Sequence, residues 1–279
     1  MADWRDYGAP DGTGVGHPIV AGTLRILRGC HSPQLGNSRD ILGHLPASYA
    51  SGERRYPVIY MHDGQNLFDP HTSYAGEWGV DDALASLDDC DAEAIVVGIP
   101  NSGVRRLDEY SPFPDLRLGG GDGDAYLSFV IDTLKPAIDA DFRTRPEREH
   151  TGMLGASMGG LISLFALFER PDVFGFAGVM SPSLWFADGA IFRYVQDSPY
   201  VRGRLALDVG TGEAPVMVRD ARRLHDLLIE KGYRAGQELR YAEDEGAGHN
   251  EAAWGGRVCD VLRFLLVGAA APALAFAAD

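Results

Sequence analysis

Cysteine is scarce in this chain: three residues among 279, Cys30, Cys90 and Cys259, far apart and in no C-x-x-C pair. That speaks against a disulfide framework or a cysteine-based zinc site and for free thiols, packed as small hydrophobes in a reducing compartment. Long hydrophobic runs are missing as well. The longest, "FLLVGAAAPALAFAA" near the C terminus, is too short for a membrane span and contains Pro272. The opening "MADWRDYGAP" lacks the basic segment and apolar stretch of a secretory signal, so the expected location is the cytoplasm. Positive charge is in deficit. Twenty-five Lys and Arg face 40 Asp and Glu, a formal net charge of −15, which argues against nucleic acid or a membrane surface as a partner. No internal repeat or low-complexity segment divides the chain. It reads as a single domain over residues 1–279, with a core at about 22–266 and short tails.

What is present is an alternation of apolar strands and amphipathic helices. "GTLRILRG" and "SRDILGHLP" alternate as antiparallel strands do. Compact apolar strands follow at residues 57–61 and 94–99, then in "HTGMLGAS", "FGFAGVMSPS" and "GRLALDVGTGE", with a last strand in "QELRYAEDEGAGHN". Helical spacing appears in "WGVDDALASLDD", in "DAYLSFVIDTLKPAIDADF" with an interruption near Pro136, and in "MGGLISLFALFER". It returns in "VRDARRLHDLLIEKGY" and in a final helix through "GGRVCDVLRFLL". Near-continuous apolar strands separated by helices indicate a parallel sheet covered on both faces. Functional loops in such a sheet lie at the carboxyl ends of the strands.

"LGASMGG" places Ser157 in a G-x-S-x-G pattern between a strand and a helix, the setting of a nucleophile elbow. Gly155 and Gly159 leave room for the sharp turn, and the N–H of Met158 would be one donor to an oxyanion. A serine nucleophile needs a base. Only His225 and His249 follow it in the chain; His225 falls within a helix, whereas His249 sits in the loop "DEGAGHNEAAW" after the last strand. The acid should end a strand between them, which favours Glu213, with Asp208 second and Asp244 third. The second oxyanion donor should come from "MHDGQNLFD": the N–H of Gln65, or else of Gly64 or Asp63. His62 and Asp63 also invite a metal or acid–base reading, but they lack partners at ligand spacing. "GGGDGD" lacks the spaced ligands of a calcium loop. Asn101, Arg105, Arg106, Glu109 and Tyr110 on one loop, Ser183 and Trp185 on another, and Trp254 beyond the histidine would shape a substrate pocket.

Together "YMHDGQNLFD", "EYSPF", "GASMGGL", "SPSLWF", "DVGTGE" and "GHNEAAW" resemble the putative-esterase family of α/β-hydrolases, above all its enterochelin-esterase-like branch. The family also includes feruloyl and acetylxylan esterases, S-formylglutathione hydrolase and mycolyltransferases. The resemblance runs from about Gly22 to Leu266. It implies an α/β-hydrolase fold, with a mostly parallel central sheet, antiparallel N-terminal strands and helices on both faces. It implies a serine esterase with nucleophile Ser157, base His249 and, where the family uses an acid, Glu213. It implies no cofactor, a small-molecule ester as substrate, and leaves room for a homodimer. Two other readings stay open: an acyltransferase using the same site, and a catalytically idle binding protein on a hydrolase fold.

Overall fold

The computed structural model describes residues 2–8, 22–87 and 92–268. Cys90 and the part of the C-terminal apolar run beyond Gly268, Pro272 included, lie outside the described residues. Among the described residues, nine strands form one sheet: β1 (Trp4–Asp6), β2 (Thr23–Ser32), β3 (Asn37–Leu45), β4 (Val58–His62), β5 (Ile95–Ile99), β6 (Thr151–Ala156), β7 (Phe176–Met180), β8 (Arg204–Gly210) and β9 (Leu239–Asp244). Their order across the sheet is β1-β2-β3-β5-β4-β6-β7-β8-β9. The pairings from β1 to β5 are antiparallel and those from β5 to β9 parallel. Strands β4 to β7 are buried at every position, as continuous apolar runs require when helices cover both faces.

The helices are α1 (Val80–Ala85), α2 (Arg106–Glu109), α3 (Gly123–Ser128), α4 (Lys135–Asp141), α5 (Met158–Glu169), α6 (Phe186–Asp197), α7 (Pro215–Glu230) and α8 (Glu251–Val267). One apolar cluster packs α3 to α7 against one face of the sheet, and a second packs α1 and α8 against the other. Helix α5 buries every residue before Glu169, so its sequence is apolar around the whole circumference rather than amphipathic.

Three features differ from the sequence expectation. The interruption near Pro136 is a π-helical stretch, Phe129–Leu134, joining α3 to α4, and Pro136 sits in the first turn of α4, where its missing N–H costs nothing. Strand β1 and helix α6 were not anticipated. Helix α6 opens with Ala187, Asp188 and Gly189 in the left-handed region, which breaks the helical spacing of its sequence.

The chain enters the parallel part of the sheet at β4, steps to β5 on one side, and then crosses to β6 on the other. The loops leaving β4 and β6 therefore diverge at their carboxyl ends, the position where open α/β sheets place their sites. Those two loops carry Gln65 and Ser157.

Candidate active site

The turn at Ser157 is held in a conformation that an L-residue adopts only under constraint, with φ 59° and ψ −121°. Such geometry costs on the order of 1–3 kcal/mol and persists only when the surroundings impose it. Here the Ser157 N–H donates to the Met180 carbonyl at 3.0 Å, and its carbonyl accepts from the Ser183 N–H at 3.0 Å. The flanking glycines are demanded by packing. A Cβ on Gly155 would lie 2.7 Å from His62 Cδ2 and 2.8 Å from the Gly159 carbonyl carbon. The elbow thus rests directly on the His62 ring. Met158 opens α5, so its N–H is among those with no partner inside the helix.

His249 Nε2 lies 3.0 Å from Ser157 Oγ, and His249 Nδ1 lies 2.7 Å from Glu213 Oε2. It is Glu213, not Asp208 or Asp244, that reaches the imidazole. Two loops are clasped to achieve this. Gly212 donates to the Ala247 carbonyl at 3.0 Å, and Thr211 donates to that of Asp244 at 2.8 Å. A Cβ on Gly210 would come within 2.1 Å of the Ala247 carbonyl oxygen, so backbone meets backbone there. Immediately after His249, the Asn250 side chain accepts from the Ala253 N–H at 3.0 Å and caps α8, which fixes where the histidine loop ends.

The Glu213 side chain is fully buried, yet each of its oxygens has a partner. Oε1 accepts from the Ser181 hydroxyl and, at 2.8 Å, from the Gly210 N–H; Oε2 faces His249. Burial pushes the carboxyl up, but the bonds from His249, Ser181 and Gly210 outweigh it and hold it below its ordinary value. Ser181 in turn accepts from Trp254 Nε1 at 3.1 Å and Arg257 Nη2 at 2.9 Å. Asp208 is paired elsewhere. Arg257 lies 3.3 Å from its Oδ1, and burial pushes its carboxyl up to about 6.

The β4 loop is braced from behind. Asp63 adopts the left-handed region, φ 53°, and its carboxylate takes Arg106 Nε at 2.7 Å, Arg106 Nη2 at 2.8 Å and Asn101 Nδ2 at 2.7 Å. Its N–H donates to the Tyr110 hydroxyl at 3.1 Å, and the Asn101 N–H donates to Gln65 Oε1 at 3.2 Å. A Cβ on Gly64 would meet the Ile99 nitrogen at 2.6 Å, so the loop lies flat on β5. Beneath it, burial lowers His62 to about 3; its Nδ1 lies 2.9 Å from the Tyr126 hydroxyl.

Several residues expected to line a pocket are therefore placed otherwise. Asn101 Nδ2, the Arg106 guanidinium and the Tyr110 hydroxyl all meet Asp63, and a bidentate carboxylate–guanidinium pair outcompetes a solvent-facing role for that arginine. Arg105 pairs with Asp122. Glu109 is wholly buried, 2.8 Å from Arg39 and accepting from Asn37 at 2.9 Å. Trp254 is buried, its ring perpendicular to that of His249, centroids 5.0 Å apart. Trp185 is 42% exposed at the start of α6 and remains free to meet a ligand. Sequence reasoning missed Ser181, Arg257 and Tyr126; only Ser181 lay in a motif already singled out. A cleft of about 800 Å³ between α6 and α7 reaches Glu213 and Thr211 from outside, but Ser157 and His249 do not line it. Among the described residues, no group of three or more His, Cys, Asp or Glu is arranged to hold a metal ion. No described helix is long and apolar enough to cross a membrane.

Sheet, elbow and loop order together define an α/β-hydrolase fold. The putative-esterase family profile matches residues 32–265, and the chain belongs to that family. The chain is 29% identical over 237 residues to the uncharacterised protein YbbA of Bacillus subtilis, covering 80% of this chain and 91% of YbbA. It is 26% identical over 224 residues to the ferri-bacillibactin esterase BesA of the same organism, covering 70% of this chain and 73% of BesA. The crystal structure of the BES protein from Bacillus cereus superposes with a TM-score of 0.70 at 21% identity, covering 91% of this chain and 98% of that one.

Proposed function

We propose that the protein is a serine carboxylesterase that cleaves a small-molecule ester through an acyl-enzyme on Ser157. The observation that carries this reading is the continuous line from Ser157 Oγ to His249 Nε2, 3.0 Å, and from His249 Nδ1 to Glu213 Oε2, 2.7 Å. Glu213 orients the ring with Nδ1 protonated and stabilises the imidazolium that forms. Nε2 takes the Ser157 proton as Oγ attacks the ester carbonyl, and the Met158 and Gln65 N–H groups receive the developing oxyanion. His249 then gives that proton to the leaving alcohol and accepts another from the water that releases the acid. Ser157, His249, the leaving alcohol and water account for every proton transferred in this scheme, so it includes no cofactor.

Membership in an esterase family and the named activity of BesA support ester hydrolysis on a small molecule. The unpaired Cys30 and Cys259 fit a cytoplasmic setting, and residues 22–266 would act as a single domain. The test is covalent. A fluorophosphonate should label Ser157 stoichiometrically and abolish hydrolysis of aryl esters; an unlabelled Ser157 in protein that still cleaves esters overturns the reading.

A further inference from the structure

Ser183, on the turn between β7 and α6, is 2% exposed and plays no part in the scheme above. It is tied to the nucleophile twice. Its N–H donates to the Ser157 carbonyl at 3.0 Å, and its Oγ lies 3.1 Å from Ser157 Oγ.

The direction of the second bond follows by elimination. The Glu213 carboxylate can only accept, so His249 Nδ1 carries a proton toward it. In the neutral imidazole Nε2 is then a bare acceptor, and the hydroxyl 3.0 Å away, Ser157, must donate to it. A serine has one hydroxyl proton. With that proton committed, the remaining contact is the Ser183 O–H donating to Ser157 Oγ.

We infer that Ser183 is a further catalytic residue, whose hydroxyl withdraws charge from Ser157 Oγ and promotes its release from the acyl-enzyme. This rests on the acyl-enzyme reading. In deacylation, water adds to the acyl carbon while its proton passes to His249 Nε2. The C–Oγ bond then breaks, its electron pair stays on Oγ, and Oγ takes the Nε2 proton. Ser183 keeps its own proton throughout. A donor on Oγ makes the acyl carbon more electrophilic and Oγ a better leaving group. The same bond makes Oγ a slightly weaker nucleophile in acylation. The two half-reactions therefore respond oppositely to loss of the donor, which a purely structural role would not produce.

Ser183→Ala, followed by rapid mixing with a chromogenic aryl ester, reads the two halves separately. The burst of released phenol should be slightly faster than in the wild type, while the steady-state rate falls about tenfold, the effect of one lost neutral hydrogen bond. Intact-mass analysis should find the acyl-enzyme accumulated. Ser183→Thr, which keeps the hydroxyl, should restore deacylation, and Ser183→Cys, a weaker donor, should fall between and serves in its place if the alanine variant does not fold. The inference is overturned by burst and steady-state rates falling together, by no accumulation of acyl-enzyme, or by a threonine variant as slow as the alanine one. Failure of the wild-type protein to react with a fluorophosphonate would instead strike the triad reading itself.

Discussion

The Ser181 hydroxyl donates to Glu213 Oε1, and two donors on α8, Trp254 Nε1 at 3.1 Å and Arg257 Nη2 at 2.9 Å, leave its proton no other direction. A hydroxyl has one proton and two lone pairs, and all three are spent. Glu213 consequently meets a donor at each filled position and an imidazole N–H at the last. That arrangement accepts a carboxylate and rejects an amide. Glu213→Gln would turn an NH₂ toward either a donor already present or His249 Nδ1, and the second choice forces the wrong tautomer on the ring. We expect kcat to fall on the order of 10³–10⁴-fold with the fold intact, measured with aryl esters beside a thermal melt. Ser181→Ala should cost about tenfold in kcat with little change in KM. A Glu213→Gln variant of near wild-type kcat would reduce the site to a Ser–His pair.

Ser157→Ala removes the attacking atom and relieves nothing else, because the elbow backbone is fixed by its own hydrogen bonds to Met180 and Ser183. Turnover should drop by about 10⁴-fold or more while the melting temperature stays close to that of the parent. Retained ester hydrolysis in this variant would sink the mechanism.

How much of this was legible in the sequence depended on whether a residue's partner was local. Ser157 and His249 were readable because the elbow pattern, the strand ends and the chain order are all one-dimensional signals. The parallel strands were equally plain, as unbroken apolar runs. Position at the strand end favoured Glu213 over Asp208 in the sequence, but the partner that occupies Asp208 was not legible: Arg257, brought in by α8 from far along the chain. Asn101, Arg106 and Tyr110 looked like substrate contacts because a polar loop residue reads the same whether it faces solvent or a buried Asp63. Helix α6 was invisible for a local reason: three left-handed residues at its start erase the helical period.

The bracing of Asp63 gives a third expectation. Arg106 reaches both carboxylate oxygens at 2.7 and 2.8 Å, and burial would lower its guanidinium were it not outweighed by those bonds, which raise it. Removing it leaves a buried carboxylate without its guanidinium partner on a strained loop whose next residues, Gly64 and Gln65, offer the oxyanion donor. Arg106→Met should therefore lower kcat by about 10²-fold, near the cost of losing one such donor, with KM changed little. Arg106→Lys, a single point charge, should recover only part of the rate. A rise in KM at unchanged kcat would assign Arg106 to substrate binding instead.

His62 beneath the elbow links the site to acid stability. Burial lowers its imidazole from the ordinary 6.5 to about 3, so the folded protein keeps the ring neutral while the unfolded chain protonates it below pH 6.5. The contribution is complete above that pH and is lost as pH falls toward 3, reaching about 3 kcal/mol by pH 4. Asp208 works in the opposite sense. Its carboxyl, raised from 3.8 to about 6, makes the folded state the better proton binder as pH falls between those values. The two partly cancel in the wild type, so the informative quantity is a difference in slope. His62→Asn lacks the titrating ring and is expected to start less stable at about pH 8. Between about pH 6.5 and pH 4 it should lose less stability than the wild type. Denaturant melts across that range measure both slopes, and parallel curves would show that His62 is not the titrating group.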